Sequence, residues 1–150
     1  MKQLLTNTIT TKTPYLPGLS LEKVQEAFAE FSAQLDLSPI KFKLVAEKEW
    51  TMERANSVEP QYRAFLFLIG TKQAGILVPT HDIDEMWHAH ILDTRKYMSD
   101  CALLFGFYIH HYPYLGMKDE ADKTHATGLF HRTEAMMADV LNIKIGRAHV

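Results

Sequence analysis

Residues 78–97 read VPTHDIDEMWHAHILDTRKY, and this stretch decides the fold and carries the candidate site. Proline is strongly disfavoured in the interior of a helix, so a helix is expected to start just beyond Pro79. Thr80 and Asp82 are both residue types that cap helix N-termini. Asp82 with Glu85 three positions later also fits the capping-box pattern. The sequence therefore predicts that a helix begins here, with Thr80 or Asp82 as its cap.

The apolar residues that follow recur at three- and four-residue spacing, as on one face of an amphipathic helix. Gly106 then favours a helix end, because glycine readily adopts the left-handed conformation common at helix C-termini. The spacing predicts one long helix over residues 82–105, whose apolar face carries Ile83, Met86, Trp87, Ile91, Met98, Cys101, Leu104 and Phe105.

Segments on either side of this helix show further helical periodicity. Three more helices are predicted: residues 21–35, a central helix over residues 57–69, and residues 119–141. Residues 41–45 alternate polar and apolar side chains and predict a short strand, followed by a helix-compatible stretch over residues 46–56.

Together these elements predict a mainly α fold, a single-domain helical bundle of about four to five helices with little or no sheet, over residues 19–144. The Trp87 face of the long helix is expected to pack against the central helix. Residues 1–18 lack an apolar period and are expected to form a flexible arm. The ending IGRAHV, residues 145–150, reads like the translation of a sequencing adapter, so we expect a non-native tail there and set it aside.

Composition excludes several classes of protein. The 150 residues carry 16 Lys+Arg against 18 Asp+Glu, a net charge of -2, so no nucleic-acid footprint is expected. The longest apolar run, residues 64–69, is far shorter than the roughly 20 residues that span a membrane. The single cysteine, Cys101, fits a reducing compartment, and we expect a cytoplasmic protein.

Five of the eight histidines flank the predicted long helix: His81, His88, His90, His110 and His111. Imidazole is the commonest metal ligand and the side chain best suited to proton transfer near neutral pH. Their clustering therefore favours a site in this part of the chain.

Helical geometry divides this cluster. Asp84, His88 and Arg95 fall on one side of a regular helix, whereas His90 lies about 200° from His88. Asp84 and His88 offer an oxygen and a nitrogen to Zn²⁺ or Fe²⁺, which is half a site. The alternative is that Asp84 serves the helix N-terminus and His88 is solvated. His90 is either a buried, hydrogen-bonded imidazole on the apolar face beside Trp87 or a ligand from a distorted helix.

Gly106 and Pro113 decide whether the chain turns back after the helix. If it does, His110 or His111 can complete the site of Asp84; otherwise the two histidines form a separate polar patch. The candidate metal ligands are therefore Asp84, His88, His90, His110 and His111. His81 lies at the helix start, where it can serve the same site. His125 and His131 are expected on a solvated helix face.

Residues 78–97, followed by Asp-Cys at 100–101, Leu-Phe-Gly at 104–106 and His-His-Tyr-Pro at 110–113, resemble the glycine-rich-domain-containing-protein-like family of plants and bacteria. The shared core is Asp-x-x-Trp-His-x-His, and the similarity spans about residues 60–140. The resemblance implies no established reaction, and it does not transfer a nucleic-acid role. It implies that these residues belong to one unit: Asp84, Trp87, His88, His90, Tyr97, Cys101, His110 and His111.

Two functional hypotheses follow from the sequence. The leading one is a cytoplasmic metal-binding protein, extending to a small metalloenzyme, in which a His/Asp site holds Zn²⁺ or Fe²⁺. The competing one is a non-catalytic interaction module whose histidines are structural. The expected partner is a small molecule or a protein, with neither nucleic acid nor membrane involved.

Overall fold

The computed structural model describes residue 18 and residues 20–145, and within these every regular element is an α-helix. The mainly α class is confirmed, whereas the expected count of four to five helices was too low. The proposed arm and tail lie outside the described residues, apart from residues 18 and 145. The helices, numbered in chain order, are α1 Leu21–Gln34, α2 Ser38–Glu47, α3 Met52–Gly70, α4 His81–Leu92, α5 Thr94–Leu104 and α6 Glu120–Leu141.

The first helix agrees with the prediction to within one residue. Ser20 caps α1, its hydroxyl accepting a hydrogen bond from the Lys23 backbone N–H at 3.1 Å. The buried Val24, Ala27 and Phe31 lie three and four residues apart, so one face of α1 enters the core. That face packs against α3 and α6.

The strand predicted over residues 41–45 is wrong, because these residues lie inside α2. Pro39 occupies the first turn of α2, where its missing N–H removes no helical hydrogen bond. Ile40 and Leu44 are the buried residues, and their four-residue spacing is that of a helix. The five-residue alternation was too short to outweigh this periodicity.

The third helix begins five residues earlier than residue 57, because Thr51 caps it through a hydrogen bond from the Arg54 N–H at 3.0 Å. Pro60 lies within this helix. The prediction that it is central is confirmed, since α3 packs against α1, α2, α4 and α6. Its buried aliphatic and aromatic side chains are Val58, Tyr62, Phe65, Leu66, Phe67 and Leu68.

The long helix predicted over residues 82–105 is in fact two helices, α4 and α5, which meet at Asp93. Asp93 leaves the helical conformation, with φ −81° and ψ 74°, and its carboxylate accepts from the Lys96 N–H at the start of α5. Asp, like Ser and Thr, favours this role because its short side chain reaches the first backbone N–H groups of a helix. Met98, assigned to the apolar face of a continuous helix, is consequently 63% exposed.

The start of α4 is set by Thr80, whose hydroxyl accepts from the Ile83 N–H at 3.0 Å. The capping box of Asp82 and Glu85 is wrong. Asp82 lies inside the helix and pairs with Arg54, and the Glu85 carboxylate accepts from the Trp50 indole N–H at 2.8 Å.

After α5 the chain turns back, as a helix end at Gly106 requires. Gly106 has φ +78°, and its N–H donates to the carbonyls of Cys101 and Ala102 at 3.0 Å. The preceding Phe105 fits tightly against Gly70, where a Cβ atom would collide with its ring. Residues 107–118, hereafter the strap, then run to α6. In the described part of the chain, no helix has the length and hydropathy needed to cross a membrane.

Candidate metal centre

Three side chains from the predicted cluster converge at the surface of α4. Asp84 and His88 lie four residues apart on the helix, and His111 reaches them from the strap. The His111 Nε2 atom is 2.6 Å from Asp84 Oδ1 and 3.1 Å from His88 Nε2. His88 Nε2 is in turn 3.4 Å from Asp84 Oδ2. The turn at Gly106 thus brings together residues that are more than twenty positions apart.

The spacing of these donor atoms suits a single metal ion. Imidazole nitrogen and carboxylate oxygen bind Zn²⁺ at about 2.0–2.2 Å, so two ligands at tetrahedral or octahedral angles stand about 2.8–3.6 Å apart. The observed contacts are 2.6, 3.1 and 3.4 Å, the first and last of them to different oxygens of the Asp84 carboxylate. With one donor atom from each residue, Asp84, His88 and His111 have their donors within 4.8 Å of one another and form a candidate ligand set for one ion.

The His111 ring is held in place by aromatic and hydrogen-bonded neighbours. Its centroid lies 4.2 Å from that of the Trp87 ring. The Trp87 indole N–H donates to the Tyr97 hydroxyl at 3.0 Å, which donates to the Ile109 carbonyl at 2.6 Å. This chain ties the strap to α4 and α5 two residues before His111. Only 15% of the His111 side chain is exposed, against 53% for His88.

His90 lies in the core, away from the cluster. Its Nδ1 atom accepts a hydrogen bond from the Tyr62 hydroxyl at 2.7 Å, and its Nε2–H donates to the Asp100 carboxylate at 2.8 Å. Lys96 also contacts that carboxylate, at 3.1 Å. Burial lowers the pKa of His90, and the hydrogen bond to Asp100 opposes this only in part. Burial likewise raises the pKa of Tyr62 well above its usual value.

The other histidines among the described residues do not join the cluster. His110 is exposed, and its ring lies 4.7 Å from that of Tyr108. His81 is exposed in the first turn of α4, with Nε2 3.1 Å from the Glu85 carboxylate. His125 and His131 are exposed on α6, as expected of a solvated face. Of the five predicted ligands, the structure brings together Asp84, His88 and His111, and it places His90 and His110 elsewhere.

The cluster borders a cleft of about 490 Å³, which Asp84 and His111 both line. A volume of this size is typical of sites for small molecules. His88 instead lines a neighbouring depression of about 220 Å³, together with Lys43 of α2 and Lys48, which follows that helix.

The sequence did not predict the residues that contact His111 at the cluster and His90 in the core. Trp87 was assigned a core role, yet its ring also packs against that of His111, and its indole N–H donates to Tyr97. Tyr62 and Asp100, the partners of His90, lie on α3 and α5. No local spacing signals such contacts, because they depend on how α4 crosses α3 and on the break at Asp93.

Fold and site together define an all-α protein with an Asp/His cluster at the edge of a cleft. The chain belongs to the UCP032817-like family, whose model matches residues 31–140. This match begins well before residue 60, so the kinship includes α2 and all of α3, and not only the His-rich region.

A further comparison supports in part the resemblance to glycine-rich-domain proteins. The chain is 40% identical over 55 residues to Glycine-rich domain-containing protein 2 of Arabidopsis thaliana. The match covers 34% of this chain and 7% of that relative, so the chain spans only a small part of the curated protein. No solved structure matches the chain.

Proposed function

We propose that Asp84, His88 and His111 bind one divalent transition-metal ion, Zn²⁺ or Fe²⁺, and that the ion keeps open positions toward the larger cleft. The observation that carries this proposal is the convergence of two imidazole nitrogens and one carboxylate, with one donor atom from each residue within 4.8 Å of the others. Two histidines and one carboxylate form the donor set of catalytic zinc sites and of non-haem iron sites.

Charge supports the same conclusion. With neutral imidazoles, the cluster carries the single negative charge of Asp84, which a divalent cation more than compensates. The two carboxylate oxygens face different ring nitrogens, Oδ1 that of His111 and Oδ2 that of His88, so a cation beside Asp84 would also lie close to both imidazoles. Asp84 is partly buried, with 31% of its side chain exposed, which reduces the screening of its charge by water.

The site has the composition of a small metalloenzyme. Three protein ligands leave room for water or substrate, which a bound Zn²⁺ would activate as a Lewis acid. The residues of this chain supply the donor set, the Trp87 ring that packs against His111, and a cleft beside both. The competing hypothesis of purely structural histidines describes His90, which has hydrogen bonds at both ring nitrogens. Applied to the cluster, it makes Asp84, His88 and His111 a hydrogen-bonded surface group, so metal titration separates the two hypotheses.

Metal titration of tag-free protein tests the proposal. We expect one equivalent of Zn²⁺, or of Fe²⁺ under anaerobic conditions, by isothermal titration calorimetry and elemental analysis. Asp84→Asn, His88→Ala and His111→Ala should each weaken binding at least about 100-fold, since losing even an outer-shell group costs metal sites about 10–100-fold.

His110→Ala and His81→Ala are the matched controls, because both remove exposed imidazoles close to the cluster. They should change the affinity less than about twofold, as expected of groups outside the ligand set. Equal loss in ligand and control variants would show nonspecific binding to surface histidines. Absence of binding in the wild-type protein would overturn the proposal.

A further inference from the structure

The larger cleft has an uneven distribution of polar groups. One wall is the α3–α4 connection with Ile76, Leu77 and Val78, and the other is the strap with Pro113 and Leu115. These walls are apolar. The polar side chains of Asp84, His81, His110 and His111 also line the cleft. A ligand that fits this pattern has an apolar body and a polar group directed to the cluster.

Both walls are fixed by hydrogen bonds to other elements. The Val78 N–H donates to the Thr133 hydroxyl of α6 at 2.9 Å, and Arg132 donates to the Ala74 carbonyl at 2.5 Å. The strap is held at Ile109 by Tyr97, as described above. Near its other end, the Gly116 N–H donates to the Asp122 carboxylate at 2.8 Å. The cleft is therefore preformed, so a ligand would not have to order it.

The apolar walls are also accessible to a ligand. Ile76 is 57% exposed, which leaves a large aliphatic side chain in contact with water at the cleft. Covering such surface is favourable by about 25 cal/mol per Å². The free energy gained by covering Ile76 and its neighbours would add to that of any bond formed at the cluster.

We propose that this cleft binds a small molecule with an aliphatic or aromatic body and one oxygen-donor head group, such as a carboxylate, whose oxygen occupies an open position on the metal. The head-group part of this inference rests on the proposed function, because it requires the ion at Asp84, His88 and His111. The apolar part rests on the cleft alone. Experiments can therefore contradict the metal site and the apolar cleft independently of each other.

A pair of hydroxamates tests the inference on Zn²⁺-loaded protein. Acetohydroxamate and octanohydroxamate carry the same metal-binding head group and differ only in the length of the apolar chain. Octanohydroxamate should bind at least about tenfold more tightly, since burying even two additional CH₂ groups changes affinity by that factor. Calorimetry gives both dissociation constants.

Ile76→Ser is the variant that removes apolar wall without touching the cluster, and Leu103→Ser is its control. Both residues are exposed, and Leu103 lies on α5 away from the cleft lining, so both variants should fold. Ile76→Ser should weaken octanohydroxamate about fivefold, as expected for losing part of one buried aliphatic side chain, and leave acetohydroxamate unchanged. Leu103→Ser should change neither.

A second experiment measures the binding of the fluorescent probe 1-anilinonaphthalene-8-sulfonate to metal-free protein. Probe binding that is weakened by Ile76→Ser and not by Leu103→Ser supports the apolar cleft, even where zinc binding itself has failed. Equal affinity of the two hydroxamates for zinc-loaded protein would overturn this inference and leave the metal site standing. Equal effects of the two serine variants would overturn it as well.

Discussion

His88 and His90 are two residues apart on α4, yet they belong to different parts of the molecule. His88 is 53% exposed and meets Asp84 and His111 at the cleft edge, whereas His90 is fully buried between Tyr62 and Asp100. The helical twist of about 100° per residue directs the two side chains apart. The same residue type thus serves a candidate ligand set on one face and the core on the other.

His90 and the surface cluster differ in the hydrogen-bond partners of their ring nitrogens. Both ring nitrogens of His90 have protein partners, so this imidazole contributes to stability and has no free nitrogen for an ion. At the surface, the ring nitrogens of His88 and His111 face each other and a carboxylate. Under the proposed function, a cation would complete this arrangement. Burial and partners, more than residue type, therefore determine the role of each histidine.

The largest effect expected on stability comes from His90→Ala. It leaves a cavity and removes the hydrogen-bond partner of both Tyr62 and Asp100, which should lower the free energy of unfolding by roughly 1–3 kcal/mol. Denaturant unfolding of metal-free protein measures this. His88→Ala is the matched comparison and should abolish metal binding with little change in melting temperature. Equal loss of metal from both variants at unchanged stability would contradict the division of α4 into two faces.

A second substitution tests how the core supports the surface cluster. Tyr97→Phe removes the hydroxyl that links Trp87 to the Ile109 carbonyl, so it should cost about 1–2 kcal/mol of stability. Because that link positions the strap, zinc affinity should also fall about tenfold, as for other outer-shell groups of metal sites. Tyr114→Phe, on an exposed strap tyrosine, is the control. Unchanged zinc affinity in Tyr97→Phe would show that the strap is positioned by other contacts.

The buried histidine should also leave a signature in the pH dependence of stability. Burial lowers the pKa of His90 below 6.5, so between that folded-state pKa and about 6.5 the unfolded chain binds more protons than the folded one. The stability due to neutral His90 is therefore complete above pH 6.5 and is lost as the pH falls through the lowered pKa.

The measurement compares the unfolding free energies of metal-free wild type and metal-free His90→Gln as the pH falls from above 6.5 through the lowered pKa of His90. Glutamine can accept from Tyr62 and donate to Asp100 but does not titrate, so the difference between the two proteins should shrink toward acid pH. A difference that stays constant with pH would mean that His90 titrates alike in both states.

The smallest effect is expected at His110, which lies next to His111 in sequence but outside the cluster. His110→Ala should change zinc affinity less than about twofold and stability by less than about 0.5 kcal/mol, as for other surface substitutions. Calorimetry and thermal unfolding provide both values. A loss comparable with that of His111→Ala would show that the strap can present either imidazole to the ion.

The all-α class and several helix bounds could be predicted from the sequence, because periodicity and capping are local. Ser20, for example, caps α1 as expected. The break at Asp93 was not predictable from spacing, since the apolar period continues across it. The strand at residues 41–45 failed because a short alternation also fits a helix with buried Ile40 and Leu44.

For the site, spacing on one helix was enough to group Asp84 with His88 and to separate His90 from them. The choice between His110 and His111 could not be made, because adjacent residues on a strap differ only in the direction that tertiary packing gives them. In the folded protein it is His111 whose ring packs against Trp87 and contacts Asp84. The partners of His90 came from helices that no sequence pattern linked to α4.

Zinc K-edge X-ray absorption of the zinc-loaded protein tests whether Asp84, His88 and His111 bind the ion, because it reports the ligands of the ion itself. We expect two imidazole nitrogens and oxygen ligands at about 2.0–2.2 Å, and the loss of one imidazole contribution in His88→Ala and in His111→Ala but not in His90→Gln. A spectrum without imidazole scattering, or one in which His90→Gln removes an imidazole, would contradict this ligand set.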